Sequence, residues 1–465
     1  MTISEITPTP LSRSIVFEST LTDEMAEGFR REFVANPANR VAQNAVTQVT
    51  VDDIALNRAI VTETSHTFSI QLDDWSVTNQ KQSGRCWMFA GLNLLRVGAK
   101  KKMGLKSFEF SQNYLMFWDK LERANYFLEA IIDTAERDAD DRLVSFLLTR
   151  PIEDGGQWNM FVNLVKKHGL APKSVMPETQ SSSNSMRMNS ILRRKLREGA
   201  KLLRNLYATA AGMEELYETK QDILGVVYRI LSIHLGTPPQ RFTWQWTDQN
   251  KEFHREADLT PLEFAARYVD VPLDEYVCLV NDPRPSSLFG RTFTVQYLGN
   301  VVGGEIVTYL NLDIATLKGI AQRTIEDGEP VWFGCDSGKM MRRDLGIWDK
   351  DLYDYETLYQ TSFNLDKADR LIYHDTAMTH AMLFTGVDLV DGGPRRWRVE
   401  NSWGEDNGQK GFYTLNDSWF DENTFEIAAR KSYLSPEMAA ALAAEPIILP
   451  AWDPMGALAR ESYIS

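Results

Sequence analysis

Between residues 79 and 99 the chain changes character abruptly. A polar stretch, NQKQSGR, gives way to Trp87, Met88, Phe89, Ala90, Leu92, Leu94, Leu95, Val97 and Ala99. These positions cover nearly the whole circumference of a helix, which predicts a buried helix entered from a loop that contains Ser83 and Gly84. Upstream, Pro8, Pro10, Asn36 and Pro37 break up residues 1–60 into an arm with one helical stretch near 22–34. Aromatic and aliphatic residues recur among charges over 111–148, and the glycine turn of PIEDGGQWNM opens a helix at 158–168. QSSSNS (180–185) reads as a polar linker, 190–235 as two helices, and 236–258, beginning GTPPQRFTWQW, as a loop. Beyond residue 265 the pattern shortens. YVCLVND, RTFTVQYL, EIVTYLNL, PVWFGCD, HAMLFTGVDLV, RRWRVENSW and GFYTLN are rich in β-branched and aromatic residues and punctuated by Gly, Asp and Pro. They predict an antiparallel sheet or barrel. Helices first and strands later make an α+β chain.

Length and composition narrow the class. A chain of 465 residues exceeds one simple core, so subdomains are expected. Three cysteines exclude a disulfide framework and suit a reducing compartment. There is no basic segment leading into an apolar run near the N-terminus and no apolar run of about 18 residues, so a cytoplasmic location without membrane spans is expected. The formal charge of −14 disfavours nucleic-acid binding. The basic run over 193–204 has Leu192, Leu196, Leu203 and Tyr207 at helical spacing, and reads as the wet face of an amphipathic helix.

Cys86 stands where the loop enters the apolar helix. The positive end of a helix dipole favours thiolate, the nucleophilic form, although position alone favours a small residue packed in a core, as most free cysteines are. A thiolate nucleophile needs a histidine, a group to orient that histidine, and donors for an oxyanion. Of six histidines, His66, His168 and His254 sit in polar surroundings and His234 ends a helix. His374 lies in a loop before an aspartate, whereas His380 opens a strongly apolar strand and is preferred. Asn401, at the end of RRWRVE, offers an amide oxygen for the second imidazole N–H, with Trp403 beside it as a cover. Taken alone, N-S-x-G is also ordinary turn chemistry. Gln80, six positions before Cys86, carries an amide that can donate to an oxyanion beside the Cys86 N–H. Cys278 and Cys335 fall in strands and read as core. No CxxC or HExxH is present, so neither a metal nor another cofactor is expected.

Taken together, NQ-x4-GRCWMF, THAM with a following GV, and VENSWG resemble the papain-like cysteine peptidases. The match departs from the papain signature. SGRCW replaces CGSCW, the cysteine three positions before the nucleophile is missing, and the Cys-to-His gap far exceeds the usual ~130–150 residues. Those departures, with EDGGQWNM, SSSNS, TPLEF, YLGN, GEPVWFGCD and AWDPMGALA in order, resemble the aminopeptidase C and bleomycin hydrolase branch along nearly the whole chain. The resemblance implies a papain-like fold with an N-terminal arm (1–60), a helical subdomain (61–175), a helical insertion used in oligomerisation (176–265), a β-rich subdomain (266–450) and a C-terminal arm in the cleft (451–465).

By motif, Cys86 is implied as nucleophile, His380 as general acid/base, Asn401 as orienting group and Gln80 as oxyanion donor. Gly155 and Gly156 match the pair that hydrogen-bonds substrate as an added strand. Trp403 and Ala459 are the remaining binding positions. The expected substrates are peptides with a free N-terminus and small amides, and the expected assembly is a homo-oligomer, a hexamer in relatives. The chain runs six residues past Ala459. Trimming near Ala459 would leave an aminopeptidase, and a displaced tail would leave an open cleft and an endopeptidase.

Overall fold

The computed structural model describes residues 20–72, 75–209 and 212–459. It divides into two units. The first joins the described part of Met1–Asn57 to Tyr353–Phe363. Its helices Asp23–Ala35 and Pro37–Val46 bury no side chain. Asn36 both ends the first helix and caps the second, accepting from the Ala38 N–H at 3.0 Å. Within this unit the Tyr355 hydroxyl donates to Asp52 at 2.6 Å.

The second unit, Arg58–Leu352 with Asn364–Ser465, holds everything that follows. Its fourteen strands are β1 (Ile70–Gln71), β2 (Phe242–Thr247), β3 (Phe253–Leu259), β4 (Tyr276–Val280), β5 (Arg291–Val295), β6 (Thr308–Asn311), β7 (Val331–Cys335), β8 (Met341–Arg342), β9 (Ile347–Trp348), β10 (His380–Val390), β11 (Gly393–Glu400), β12 (Phe412–Asn416), β13 (Thr424–Arg430) and β14 (Ile447–Leu449). One sheet runs β14-β5-β6-β4-β13-β7-β10-β11-β12-β9-β8, with β1 added on β10. Most pairings are antiparallel, as the short turn-bounded strands predict. Three are parallel, β4 with β6, β5 with β14 and β9 with β12, because long connections rather than hairpins join those strands.

Strand alternation splits the interior in two. On β4, Cys278 and Val280 face the helices, while Val277 and Leu279 face a second core. On β10, Ala381 and Leu383 do the same opposite Met382 and Phe384. Both faces are covered, so these strands read as continuous apolar runs. The helix Cys86–Met103 lies on the first face and is buried along most of its length, as its all-round apolar pattern predicts. The Trp332 indole of β7 donates to the Trp87 carbonyl at 3.1 Å, pinning the first turn of that helix to the sheet.

Gln112–Asp133 and Trp158–His168 complete the helical layer, and the paired helices Met186–Ala208 and Met213–Leu235 pack on the former. The basic residues of the first of that pair are not simply solvated. Arg197 donates to the Leu148 and Thr149 carbonyls, which end the helix Arg142–Thr149, and Arg193 donates to the Ile152 carbonyl. Cations there answer the exposed carbonyls of a helix C-terminus. The expected loop over 236–258 is instead largely the hairpin β2–β3. Trp244 and Trp246 stack on one face at 5.8 Å, an alternation that the preceding prolines and the charged partner strand obscured.

Candidate active site

The thiol of Cys86 is buried at the first residue of its helix. Arg85 occupies the N-cap position but makes no side-chain cap. Its guanidinium turns away to pair with both oxygens of Glu178, at 3.0 and 2.7 Å. The helix start therefore keeps its N–H groups and positive dipole end beside the thiol.

His380 opens β10 opposite Cys335 of β7, so a five-pair ladder register fixes its backbone. Its Nε2 lies 2.9 Å from Asn401 Oδ1. The same oxygen accepts the Ser402 backbone N–H at 2.7 Å. A backbone N–H can only donate, so the oxygen of the amide must point inward, and His380 Nε2 must carry a proton. Proton exchange then falls to Nδ1. Trp403 stacks on the imidazole with centroids 5.0 Å apart, and the Arg343 guanidinium lies 4.6 Å over the Trp403 ring. Trp403 is itself buried, so it shields the His380–Asn401 bond from water.

Gln80 is held at both ends. Its Oε1 accepts from the Ser402 hydroxyl at 2.6 Å, and its Nε2 donates to the Ser83 carbonyl at 2.8 Å. The Gln80 N–H donates to the Ser402 carbonyl at 2.8 Å, and the Gly404 N–H to the Thr78 carbonyl at 3.0 Å. Residues 78–80 and 402–404 thus run side by side. A Cβ on Gly404, whose φ is +79°, would fall 2.5 Å from the Asn79 amide, so this approach requires glycine.

Two carboxylates, Glu400 buried and Asp154 largely so, tie these pieces together; they lie within VENSWG and EDGGQWNM, but nothing local gives either one this role. Glu400, next to Asn401, accepts from Trp75 at 2.5 Å, Asn93 at 2.9 Å and Arg96 at 2.6 Å. Asn93 also donates to Thr78 at 2.9 Å. One carboxylate therefore joins the Gln80 segment, the Cys86 helix and the Asn401 strand. Asp154 does the same on the other side, accepting from Lys120 at 2.5 Å, Gly84 N–H at 3.2 Å, Asn189 at 2.7 Å and the Ser185 hydroxyl. Burial alone would raise the Asp154 carboxyl, but the Lys120 charge and these donors outweigh it and hold it well below the usual range.

Gly155 and Gly156 form the rim beside Trp87. The Gly155 carbonyl accepts from Arg123 at 2.6 Å, and a Cβ on Gly156 would strike the Trp87 ring at 2.6 Å. The edge of Gly156 is already paired. Its N–H and C=O exchange two hydrogen bonds of 3.3 Å with Ala459, as a strand would. The approaching arm is fastened at several points. Arg284 pairs with Asp453 at 3.1 and 2.8 Å, the Arg142 guanidinium lies 3.9 Å over Trp452, and Gln157 Nε2 donates to the Met455 and Ala457 carbonyls at 3.1 and 2.9 Å. Ala459 is fully buried.

The Cys86 helix, the His380–Asn401 pair and the anchored Gln80 amide are thus tied together through Glu400 and Ser402, and the Gly156 edge lies against Trp87 of the same helix. The Peptidase C1-like family model matches residues 20–456. The chain belongs to that family. Bleomycin hydrolase of Gallus gallus is 44% identical over 450 residues, covering 95% of this chain and 99% of that one. Aminopeptidase C of Listeria monocytogenes is 43% identical over 442 residues, covering 95% and 100%. The crystal structure of pepw from Lactobacillus rhamnosis superposes with a TM-score of 0.94 at 45% identity, over 95% of this chain and all of that one. The fold of this peptidase is therefore papain-like and α+β. Among its described residues no helix is long and apolar enough to cross a membrane.

The site also enlists residues that the sequence did not single out. Ser402 and Gln157 adjoin predicted residues and were within reach of a local reading. Glu178, Asp154, Asn93 and Arg96 act across long separations and left no local pattern. Three other histidines have structural partners. His66 Nδ1 meets the Thr414 hydroxyl at 2.8 Å, His168 meets Glu122 at 2.8 Å, and His234 meets Ser181 at 2.7 Å.

Proposed function

We infer that this peptidase is a cysteine aminopeptidase that releases N-terminal residues from peptides and small amides through a thioester. The Cys86 thiolate attacks the scissile carbonyl carbon. The resulting oxyanion lies between the Cys86 N–H and the second hydrogen of Gln80 Nε2, whose first is spent on Ser83. His380 Nδ1 gives its proton to the leaving nitrogen as the C–N bond breaks, then takes one from water as the thioester is hydrolysed. Asn401 holds the ring in the tautomer this sequence needs, and Trp403 keeps water from the bond. The observation that carries the reading is Asn401 Oδ1 bridging His380 Nε2 and the Ser402 N–H.

Cleavage at the N-terminal residue follows from the arm. Ala459 pairs with the edge of Gly156 that an extended substrate would need for residues upstream of the scissile bond. A peptide with only one residue there still fits. The relatives named aminopeptidase C support this reading. The tail beyond Ala459, residues 460–465, lies outside the described residues. We place its removal near Ala459 as the step that completes the aminopeptidase, and a retained tail that lifts the arm would give an endopeptidase instead. A homohexameric assembly using the N-terminal arm and the insertion 176–265, and a cytoplasmic location, belong to the same reading. The first unit's exposed Met25, Phe29 and Phe33 suit contacts with other copies.

Alkylation tests the assignment. Iodoacetamide is expected to modify Cys86 first and abolish turnover in proportion, leaving Cys278 and Cys335 intact in their strands. Cys86→Ala is expected to fold and to be inert. Full activity in that variant, or inactivation that tracks Cys278, would overturn the reading.

A further inference from the structure

Beneath the arm, Gln157, Tyr309, Glu426, Pro454 and Met455 line a cavity of about 10 Å³. That is room for about one water molecule. Three buried oxygens of those residues have no hydrogen-bond partner among the described residues: Gln157 Oε1, Tyr309 Oη and Glu426 Oε1. Glu426 is 2% exposed. Unpartnered polar atoms at this depth are rare and costly, and three around one chamber call for a reason.

The chemistry of Gln157 supplies one. Its Nε2 spends both hydrogens on the arm, on the Met455 and Ala457 carbonyls. Its oxygen therefore faces the chamber. While Glu426 is a neutral acid it has a hydroxyl to give to such an acceptor. Once ionised it has only acceptors, and a carboxylate facing an amide oxygen favours turning the amide over. The turned amide would present Oε1 to two carbonyls of the arm, replacing two donors with a repulsion.

We propose that Glu426 is a specificity-determining residue: through the Gln157 amide it latches the arm when protonated and releases it when ionised, so that protons set the balance between free-amine and N-blocked substrates. The inference rests on the reading that the arm restricts the cleft. The groups facing Glu426 do not neutralise its charge. From β4 comes the Cys278 thiol, from β6 the Tyr309 hydroxyl, and from the helix Trp158–His168 a backbone N–H. Asp453 of the arm and Asp282 are engaged by the Arg284 guanidinium. The Lys367 ammonium is spent on Asn281 and the Asp421 and Thr424 carbonyls. Accordingly, burial pushes the Glu426 carboxyl up from 4.5 to about 7.

The sign follows. The docked arm holds the proton more tightly than a flooded chamber would. Docking is at full strength below about 4.5, weakens as pH rises, and levels off above about 7. From pH 5.5 to 8.5 the released fraction is expected to rise, by at most about thirtyfold, the limit in which release returns the carboxyl to its ordinary value.

The test measures turnover of an aminoacyl amide and an N-acetylated dipeptidyl amide over that range, in the wild type, in Glu426→Gln and in a chain lacking residues 450–465. Glu426→Gln keeps a donor toward Gln157 at every pH and shares the titration of Cys86, His380 and the substrate amine. The expected result is a blocked-to-free ratio that climbs with pH in the wild type relative to Glu426→Gln. If the truncated chain cleaves blocked substrate no better than the wild type, the arm reading fails. If truncation relaxes selectivity but the wild-type ratio runs parallel to Glu426→Gln, the latch is wrong. Hydrogen-exchange protection of 451–459 in the wild type is expected to fall over the same range, and constant protection would also overturn it.

Discussion

At the Cys86 corner, side chains meet at 2.6–2.9 Å, as in Ser402 to Gln80, Arg96 to Glu400 and His380 to Asn401. At the other end of the groove, Ala459 meets Gly156 through two bonds of 3.3 Å and the arm hangs from the Gln157 amide. The first region is braced by buried carboxylates with several donors each. The second is held by the Arg284–Asp453 pair, two long strand bonds and the Gln157 amide, and that amide can change partners. The contrast separates two tasks. Positions of the reacting groups tolerate little error, because an oxyanion donor or a proton acceptor displaced by about 1 Å loses most of its effect. The choice of substrate end depends on a segment that stays or leaves, so it suits a weaker attachment.

The comparison breaks first at Glu400. Glu400→Ala strands Arg96 in the core and is expected to cost about 3–5 kcal/mol, seen as a lower denaturation midpoint. Arg142→Ala, which removes an exposed guanidinium from the Trp452 ring of the arm, is expected to leave the midpoint nearly unchanged and to raise cleavage of N-blocked substrate. Equal stability losses in the two variants would erase the distinction.

A sharper probe compares Gln80 with its anchor. Gln80→Ala is expected to lower kcat by about 10²–10³ with KM nearly unchanged. Ser402→Ala leaves the donor in place but loosens it, with an expected loss of about tenfold. If both variants raise KM instead, Gln80 binds substrate and does not stabilise the oxyanion.

Asp154 brings in pH. Its carboxyl is held low in the folded chain, so its contribution to stability is complete above its ordinary value of 3.8 and is lost as pH falls below it. Asp154→Asn should therefore lose less stability than the wild type between pH 5 and 3, by about 1 kcal/mol, while being weaker at pH 7 with Lys120 unpaired. An identical acid limb in both proteins would contradict this. A further probe lies at the rim. Gly156→Ala forces a methyl against the Trp87 ring, with an expected cost of about 1–3 kcal/mol and a matching rise in KM.

Much of this was legible in the chain itself. The all-round apolar run after Cys86 announced a buried helix, and the apolar run after His380 announced a strand; that both its faces are covered came from the structure. The motif order points to Gln80, Cys86, His380 and Asn401 as one site, and the structure joins Gln80 to Ser402 and His380 to Asn401. Two kinds of feature were not legible. The β2–β3 hairpin hid behind prolines and a charged partner strand: Trp244 and Trp246 alternate on one face of β2, but the contact that closes the hairpin, Trp246 stacked on His254 at 4.9 Å, lies across strands. The braces hid because Glu400, Asp154 and Glu178 act on residues far away in sequence. A lone acidic residue looks the same whether it faces water or holds three segments together.

The central claim is that one chain combines a rigid cysteine–histidine centre with an arm that restricts it to free N-termini. The most direct measurement compares one fluorogenic aminoacyl amide with its N-acetylated twin at pH 6. The account predicts rapid turnover of the free amine and near-absence of turnover of the blocked twin. Comparable cleavage of both would mean that the cleft is open and that the arm does not select the substrate.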